Sequence, residues 1–245
     1  LELLPDGIGS DGTGPEGTEA SGFDGTHVPV VARTASFAAV DKPAGLHSAA
    51  LAGGGGPSLE ALLPALFVGA SPVLLNRLDY LTSGLVLVAL GQAAARTFTA
   101  LRPASVLKEY LAVVLGELGE PLELKRRLDT DDRKRTRVLG RLDPDPRAWT
   151  LVRPEARLAQ GRTLVSVRIQ AGARHQIRAH LAAAGLPILG DPLYGEGGGH
   201  DADRLFLHHQ RLEFRGFRAF CAPPWLGELD RDRLDDTASR RGPLT

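Results

Sequence analysis

The chain has 245 residues, 43% of them hydrophobic and 24% charged, which allows one sizeable core and excludes fibrous, collagen-like and wholly disordered classes. Its 29 basic and 29 acidic residues balance, so net charge points to no particular partner. The single cysteine, Cys221, excludes an intrachain disulfide and a Cys-cluster metal site, and no apolar run reaches the roughly 18 to 20 residues that a membrane-spanning helix needs.

Residues 1–26 carry six acids, no Lys or Arg and little apolar surface, so they are expected to be a disordered acidic leader. With no basic start and no apolar run, this leader does not resemble a secretory signal, and a cytoplasmic location is expected. A single catalytic-size domain is expected over 27–226, with a charged tail over 227–245.

Within the domain, Val28 to Ala32 and Phe37 to Val40 read as short strands, followed by the turn Asp41-Lys42-Pro43-Ala44-Gly45. Ser58 is placed to cap a helix from Leu59 to Phe67, weakened by Pro64. Val73 to Leu75 and Leu85 to Ala89 are apolar runs of strand length that bracket a polar stretch from Asn76 to Gly84. Gln92 to Leu101 reads as a helix and Tyr110 to Leu115 as a strand. Residues 125–141 hold eight basic side chains against three acids, a local basic patch. Leu164 to Ile169 alternates with the period of a half-buried strand, and His175 to Ala184 has helical spacing that ends at Gly185 and Pro187. Leu205 to Phe220 supplies two or three more strands. Interspersed short strands with few helices and no regular alternation predict an α+β fold: a mixed, mostly antiparallel sheet with a few flanking helices.

The densest polar cluster in an apolar setting is Asn76-Arg77-Leu78-Asp79-Tyr80-Leu81-Thr82-Ser83-Gly84. A loop anchored by two strands can hold one carboxylate, Asp79, in a fixed position, as a carboxylate nucleophile requires. On composition alone, an Asp that only bonds its own turn explains the same residues. A second cluster, His175-Gln176-Ile177-Arg178, opens a helix and can project Arg178 toward a carboxylate from elsewhere, or leave it solvated. His175 and His180 are poorly spaced for zinc, and no metal site is expected. Lys108-Glu109-Tyr110 opens a strand, where a Tyr is ordinarily core. There is no Gly-x-x-x-x-Gly-Lys phosphate loop, no dinucleotide fingerprint and no Gly-x-Ser-x-Gly elbow, so no cofactor is expected. A phosphotransferase with an aspartyl nucleophile wants a second carboxylate at position 81, where Leu stands.

Six blocks in order, Asp41-Lys42-Pro43-Ala44-Gly45, Arg77-Leu78-Asp79 with Thr82-Ser83-Gly84-Leu85, Lys108-Glu109-Tyr110, His175-Gln176-Ile177-Arg178-Ala179-His180, Gly190-Asp191-Pro192-Leu193-Tyr194-Gly195 and Leu207-His208, resemble the RluA/RsuA-type RNA pseudouridine synthases, most closely the RluA branch. The resemblance implies a cofactor-free isomerisation of uridine to pseudouridine in ribosomal or transfer RNA, by a monomer that meets no membrane. It implies Asp79 as nucleophile, Arg178 as its partner, and Tyr110 as the ring that stacks on the base and takes the C5 proton. Substrate contacts would come from Arg77, Ile177, His175 and Gln176, with Arg77 filling the gap left by a flipped nucleotide. The Lys125 to Arg141 stretch would meet phosphates. Asn76 stands where the family usually has His, Tyr80-Leu81 where a charged pair is common, and Ala173-Arg174 where Arg-Thr is frequent. A non-catalytic RNA-binding protein that keeps the fold is the alternative reading.

Overall fold

The computed structural model describes residues 27–51, 56–132, 134–195 and 203–229. The expected leader lies outside these residues, as does the expected tail from 230 onward. Residues 227–229 are described, and Leu229 is buried in the core beside Trp225, so the packed region runs past the boundary expected at 226.

In chain order the elements are β1 (Val30–Arg33), β2 (Phe37–Lys42), α1 (Leu59–Leu66), β3 (Val73–Leu74), β4 (Ser83–Ala89), α2 (Gln92–Thr99), β5 (Leu107–Leu115), β6 (Leu122–Leu124), β7 (Arg126–Asp129), β8 (Arg137–Leu142), β9 (Thr150–Leu158), β10 (Arg162–Ile169), α3 (Gln176–Ala183), β11 (Leu207–Phe214) and β12 (Phe217–Phe220). Ten strands form one sheet in the order β1-β2-β4-β11-β5-β10-β9-β6, with β3 beside β4 and β12 beside β11, while β7 and β8 form a separate hairpin. Every pairing is antiparallel except that of β4 with β11. This is the expected α+β architecture.

The central strand β4 is buried along its whole length, which explains its continuous apolar run. Val86 and Val88 face a large core closed by Leu59 and Leu63 of α1 and by Ile177 and Leu181 of α3. Leu85 and Leu87 face a smaller core shared with Leu212 and Phe214, against which Phe98 of α2 packs. The parallel seam requires Gly84: at φ +111° it lies so near β11 that a Cβ would fall 2.4 Å from the His209 carbonyl oxygen.

Ser58 caps α1 as expected, accepting from the Ala61 N–H at 3.3 Å, and the helix runs through Pro64. Strands β6 to β9 were not legible. In β9, Pro154 argues against a strand; it sits where the register with β10 shifts between Leu164 and Val165, a bulge that tolerates the missing N–H. The basic stretch folds as the exposed β7–β8 hairpin.

His208 and His209, in the middle of the sheet, are fully buried, and burial lowers them to about 4 and about 3. In the unfolded chain a histidine titrates near 6.5, so between that pH and about 4 the unfolded state binds more protons and folding weakens as pH falls. Above pH 6.5 both states are neutral and this penalty vanishes. The melting temperature is therefore expected to drop between pH 6.5 and 4, and to drop less in His209→Gln, which removes one titrating group; equal slopes for the two chains would contradict it.

Candidate active site

The segment ahead of β4 is held by its main chain. The Ser48 hydroxyl donates to Leu78 O at 2.8 Å and accepts from Leu78 N–H at 2.9 Å, the Gly45 N–H donates to Tyr80 O at 2.9 Å, and the Leu87 N–H donates to Asn76 Oδ1 at 2.7 Å. Asp79 opens a turn closed by the Thr82 N–H on Asp79 O at 3.1 Å. Beneath it Lys42 is fully buried, its ammonium donating to Pro43 O (2.8 Å), Leu46 O (2.9 Å) and Tyr80 O (3.4 Å). Burial brings Lys42 down to about 7, against the opposing pull of Asp79 and Asp41. Lys42 went unnoticed as a support of the loop; its signal was its survival in a chain with only four lysines.

Arg178, in the first turn of α3, meets this loop from the other side. Its Nη1 lies 3.2 Å from Asp79 Oδ2, while its Nε and Nη2 each donate at 2.8 Å to the two carboxylate oxygens of Asp191. The Asp191 side chain has no exposure, Arg178 keeps 6% and Asp79 24%, so the cluster opens outward only at Asp79. Burial works against the Arg178 charge, but the hydrogen bonds and charge of Asp191, with Asp79, hold it above the ordinary guanidinium value. Burial likewise opposes the Asp191 charge, and the Arg178 contacts with the Leu193 and Tyr194 N–H groups outweigh it and hold that carboxyl low. The sequence assigns Asp191 no role beyond its place in the block Gly190 to Gly195.

The other candidates separate into three groups. His175, in the left-handed conformation at φ 54° where α3 begins, places Nε2 4.0 Å from Asp79 Oδ2 and Nδ1 3.1 Å from the Tyr194 hydroxyl. Burial lowers its pKa, with Asp79 resisting and the arginines Arg178 and Arg174 assisting. Tyr110 is buried and stacks on His209 with ring centroids 4.4 Å apart; burial, and then the Asp79 charge, raise its phenol. Ile177 is buried in the main core and Arg77 is exposed on the Asp79 loop. Gln176 departs from the expectation of a substrate contact. It is buried, its amide nitrogen donates to Ala148 O, Trp149 O and Thr150 Oγ1, and its amide oxygen accepts from the Ala173 N–H, so it docks α3 on the segment before β9.

The hairpin reaches the same cluster. Tyr194 accepts from the Thr136 N–H at 2.7 Å, and Arg178 and Arg135 lie 5.3 and 5.1 Å from its ring centroid. His180 holds β7 by its Nε2 contact with Arg126 O at 2.7 Å. A cavity of about 1090 Å³ lies elsewhere, along Lys108, Arg168 and Arg211, and contains none of the candidate residues.

The arrangement, a fixed carboxylate partly open to solvent and backed by a locked guanidinium, suits nucleophilic attack by Asp79. Residues 36–183 match the family model described as RNA pseudouridylate synthase, well over half of the chain. The chain is 33% identical over 154 residues to an uncharacterised RNA pseudouridine synthase of Helicobacter pylori, covering 62% of each. It is 35% identical to the dual-specificity RNA pseudouridine synthase RluA of Pasteurella multocida, over 61% of this chain and 72% of that one. It is 36% identical to the ribosomal large subunit pseudouridine synthase D of Xanthomonas campestris, over 64% and 48%. The chain thus spans about half to less than three quarters of the length of these relatives. In fold it is similar to human RNA pseudouridylate synthase domain containing 1, with a TM-score of 0.68 at 24% identity, over 89% of this chain and 97% of that one.

Removing Asp191 would leave a buried guanidinium short of its main partner. Asp191→Ala is expected to lose about 3–5 kcal/mol of unfolding free energy in urea, against less than about 1 kcal/mol for Asp79→Ala at the open end of the cluster. Equal losses would mean that Asp191 does not carry the arginine.

Proposed function

The chain belongs to the RNA pseudouridylate synthase family, in its RluA-like branch, and from that premise we propose that it converts uridine to pseudouridine in RNA with Asp79 as the nucleophile. The observation that carries this reading is the Asp79–Arg178–Asp191 cluster, open only at the Asp79 end. An Asp79 carboxylate oxygen attacks the nucleotide at the sugar or the base, and the C1′–N1 bond breaks. The freed uracil turns and C5 bonds to C1′, the bond from the Asp79 oxygen to the nucleotide breaks and returns the carboxylate, and the C5 proton passes to solvent while N1 takes one up, so the product is an isomer and no cofactor is consumed.

Arg178 fixes the carboxylate and offsets its charge while the glycosidic electrons move. Tyr110 packs the base. A phenol raised by burial and by Asp79 favours that packing over action as a phenolate base. Ile177 closes the apolar floor, and exposed Arg77 is placed to enter the stack that a flipped nucleotide leaves. His175, held by Tyr194, supports the Asp79 carboxylate from the side.

The substrate proposed is ribosomal RNA, in keeping with the large-subunit enzyme of Xanthomonas campestris among the relatives. Affinity would come from phosphate contacts along the β7–β8 hairpin, where Arg127 and Arg141 are exposed.

Asp79→Asn is expected to lower the single-turnover rate on host ribosomal RNA by at least about 10⁴-fold, with RNA affinity unchanged. A wild-type chain that binds RNA and rearranges no uridine in ribosomal or transfer RNA would favour the binding protein, and modification of transfer RNA alone would overturn the substrate.

The double change Arg127→Ala, Arg141→Ala is expected to weaken RNA binding and to flatten its logarithmic salt slope by about 0.7 per lost phosphate contact. An unchanged slope would remove the hairpin from the interface.

A further inference from the structure

Behind the catalytic loop, on the smaller-core side of β4, three side chains of different chemistry converge from distant parts of the chain. Asp41 lies one residue from the end of β2, His208 is the second residue of β11, and Cys221 follows β12. One donor atom of each lies within 4.8 Å of the other two. The strands that carry Asp41 and His208 flank β4 on either side, opposite Leu85 and Ser83. His208 Nε2 is 3.2 Å from Cys221 Sγ, and its Nδ1 is 2.9 Å from the Ser83 hydroxyl. Asp41 and Ser83 also line a cavity of about 320 Å³.

We propose that Asp41, His208 and Cys221 form a binding site for one divalent zinc-class metal ion. A thiolate, an imidazole nitrogen and a carboxylate oxygen make the mixed donor set that selects borderline-soft zinc over magnesium or calcium. In a tetrahedral site with zinc–sulfur and zinc–nitrogen bonds of about 2.3 and 2.0–2.1 Å, the sulfur and nitrogen stand about 3.5 Å apart, close to the spacing here. The Ser83 hydroxyl occupies the place of an outer-shell partner: by accepting from Nδ1–H it leaves the Nε2 lone pair turned toward the thiol. The cavity supplies an entry path and room for water as the fourth ligand.

The competing arrangement is a purely hydrogen-bonded one, in which Nε2–H donates to Cys221 O at 3.2 Å and the thiol stays protonated. The absence of a metal expected from the sequence rested on His175 and His180; the residues that meet here are separated by up to 180 positions, beyond the reach of any spacing rule.

The full chain, stripped with chelator, is titrated with cobalt(II). The expected result is one equivalent bound with a thiolate-to-cobalt charge-transfer band and tetrahedral visible bands, both displaced by zinc. Because the sequence holds a single cysteine, that band can arise only at Cys221. Cys221→Ser abolishes it, and Ser83→Ala weakens cobalt affinity about 10–100-fold. X-ray absorption of the zinc-loaded wild type, which needs no variant, is expected to show one sulfur neighbour at about 2.3 Å. No charge-transfer band, or a zinc shell of nitrogen and oxygen only, overturns the site and leaves the hydrogen-bonded triad, with no bearing on pseudouridine formation.

Discussion

The fork of Arg178 ties two carboxylates, Asp79 and Asp191, into one cluster. Two of its nitrogens are taken by a carboxylate with no exposure, which leaves the third free to face Asp79 from a fixed direction. A buried cation with one partner would be costly, and with only solvent-facing Asp79 as that partner it would swing. With Asp191 below, the guanidinium is oriented by the fold itself, a preorganised arrangement whose field at Asp79 needs no rearrangement. The surrounding features serve this fork: α3 sets its origin, Gln176 anchors the start of α3, and the turn at Asp191 adds two N–H donors to its floor.

The topology explains why such distant residues meet. Asp79 precedes β4 and Tyr110 lies on β5, and between these two strands runs β11, parallel to β4 and antiparallel to β5. The site therefore sits over the seam where the two halves of the sheet join. The close pass of β11 at Gly84 brings the halves together, and α3 delivers Arg178 to Asp79.

Much of the core was legible because its signals are local. The continuous apolar run of β4, the alternation of β10 and the periodicity of α3 each follow from burial on two faces, one face or one stripe. Strands β6 to β9 were hidden because arginine content and Pro154 mask an edge whose pattern is set by neighbours rather than by its own residues. At the site, Asp79, Arg178 and Tyr110 were recoverable from motif order. Asp191 and Lys42 were quoted within those motifs without a role, since a polar residue's burial and partners are decided by chain segments far away. Gln176 shows the converse: a polar residue beside Arg178 is expected to face substrate, whereas its amide closes a packing contact between α3 and the chain before β9.

Apart from the one on Asn76 Oδ1, the hydrogen bonds that pin the Asp79 loop fall on the backbone of Leu78, Asp79, Tyr80 and Thr82, and spare the side chains of Tyr80 and Leu81. Tyr80 points outward, 42% exposed, with its ring 4.5 Å from that of His47. The main chain around Asp79 and the exposed ring of Tyr80 thus answer to separate constraints, while Leu81 packs against the main core. A change confined to the outward ring of Tyr80 therefore leaves intact the bonds that set the position of the Asp79 carboxylate.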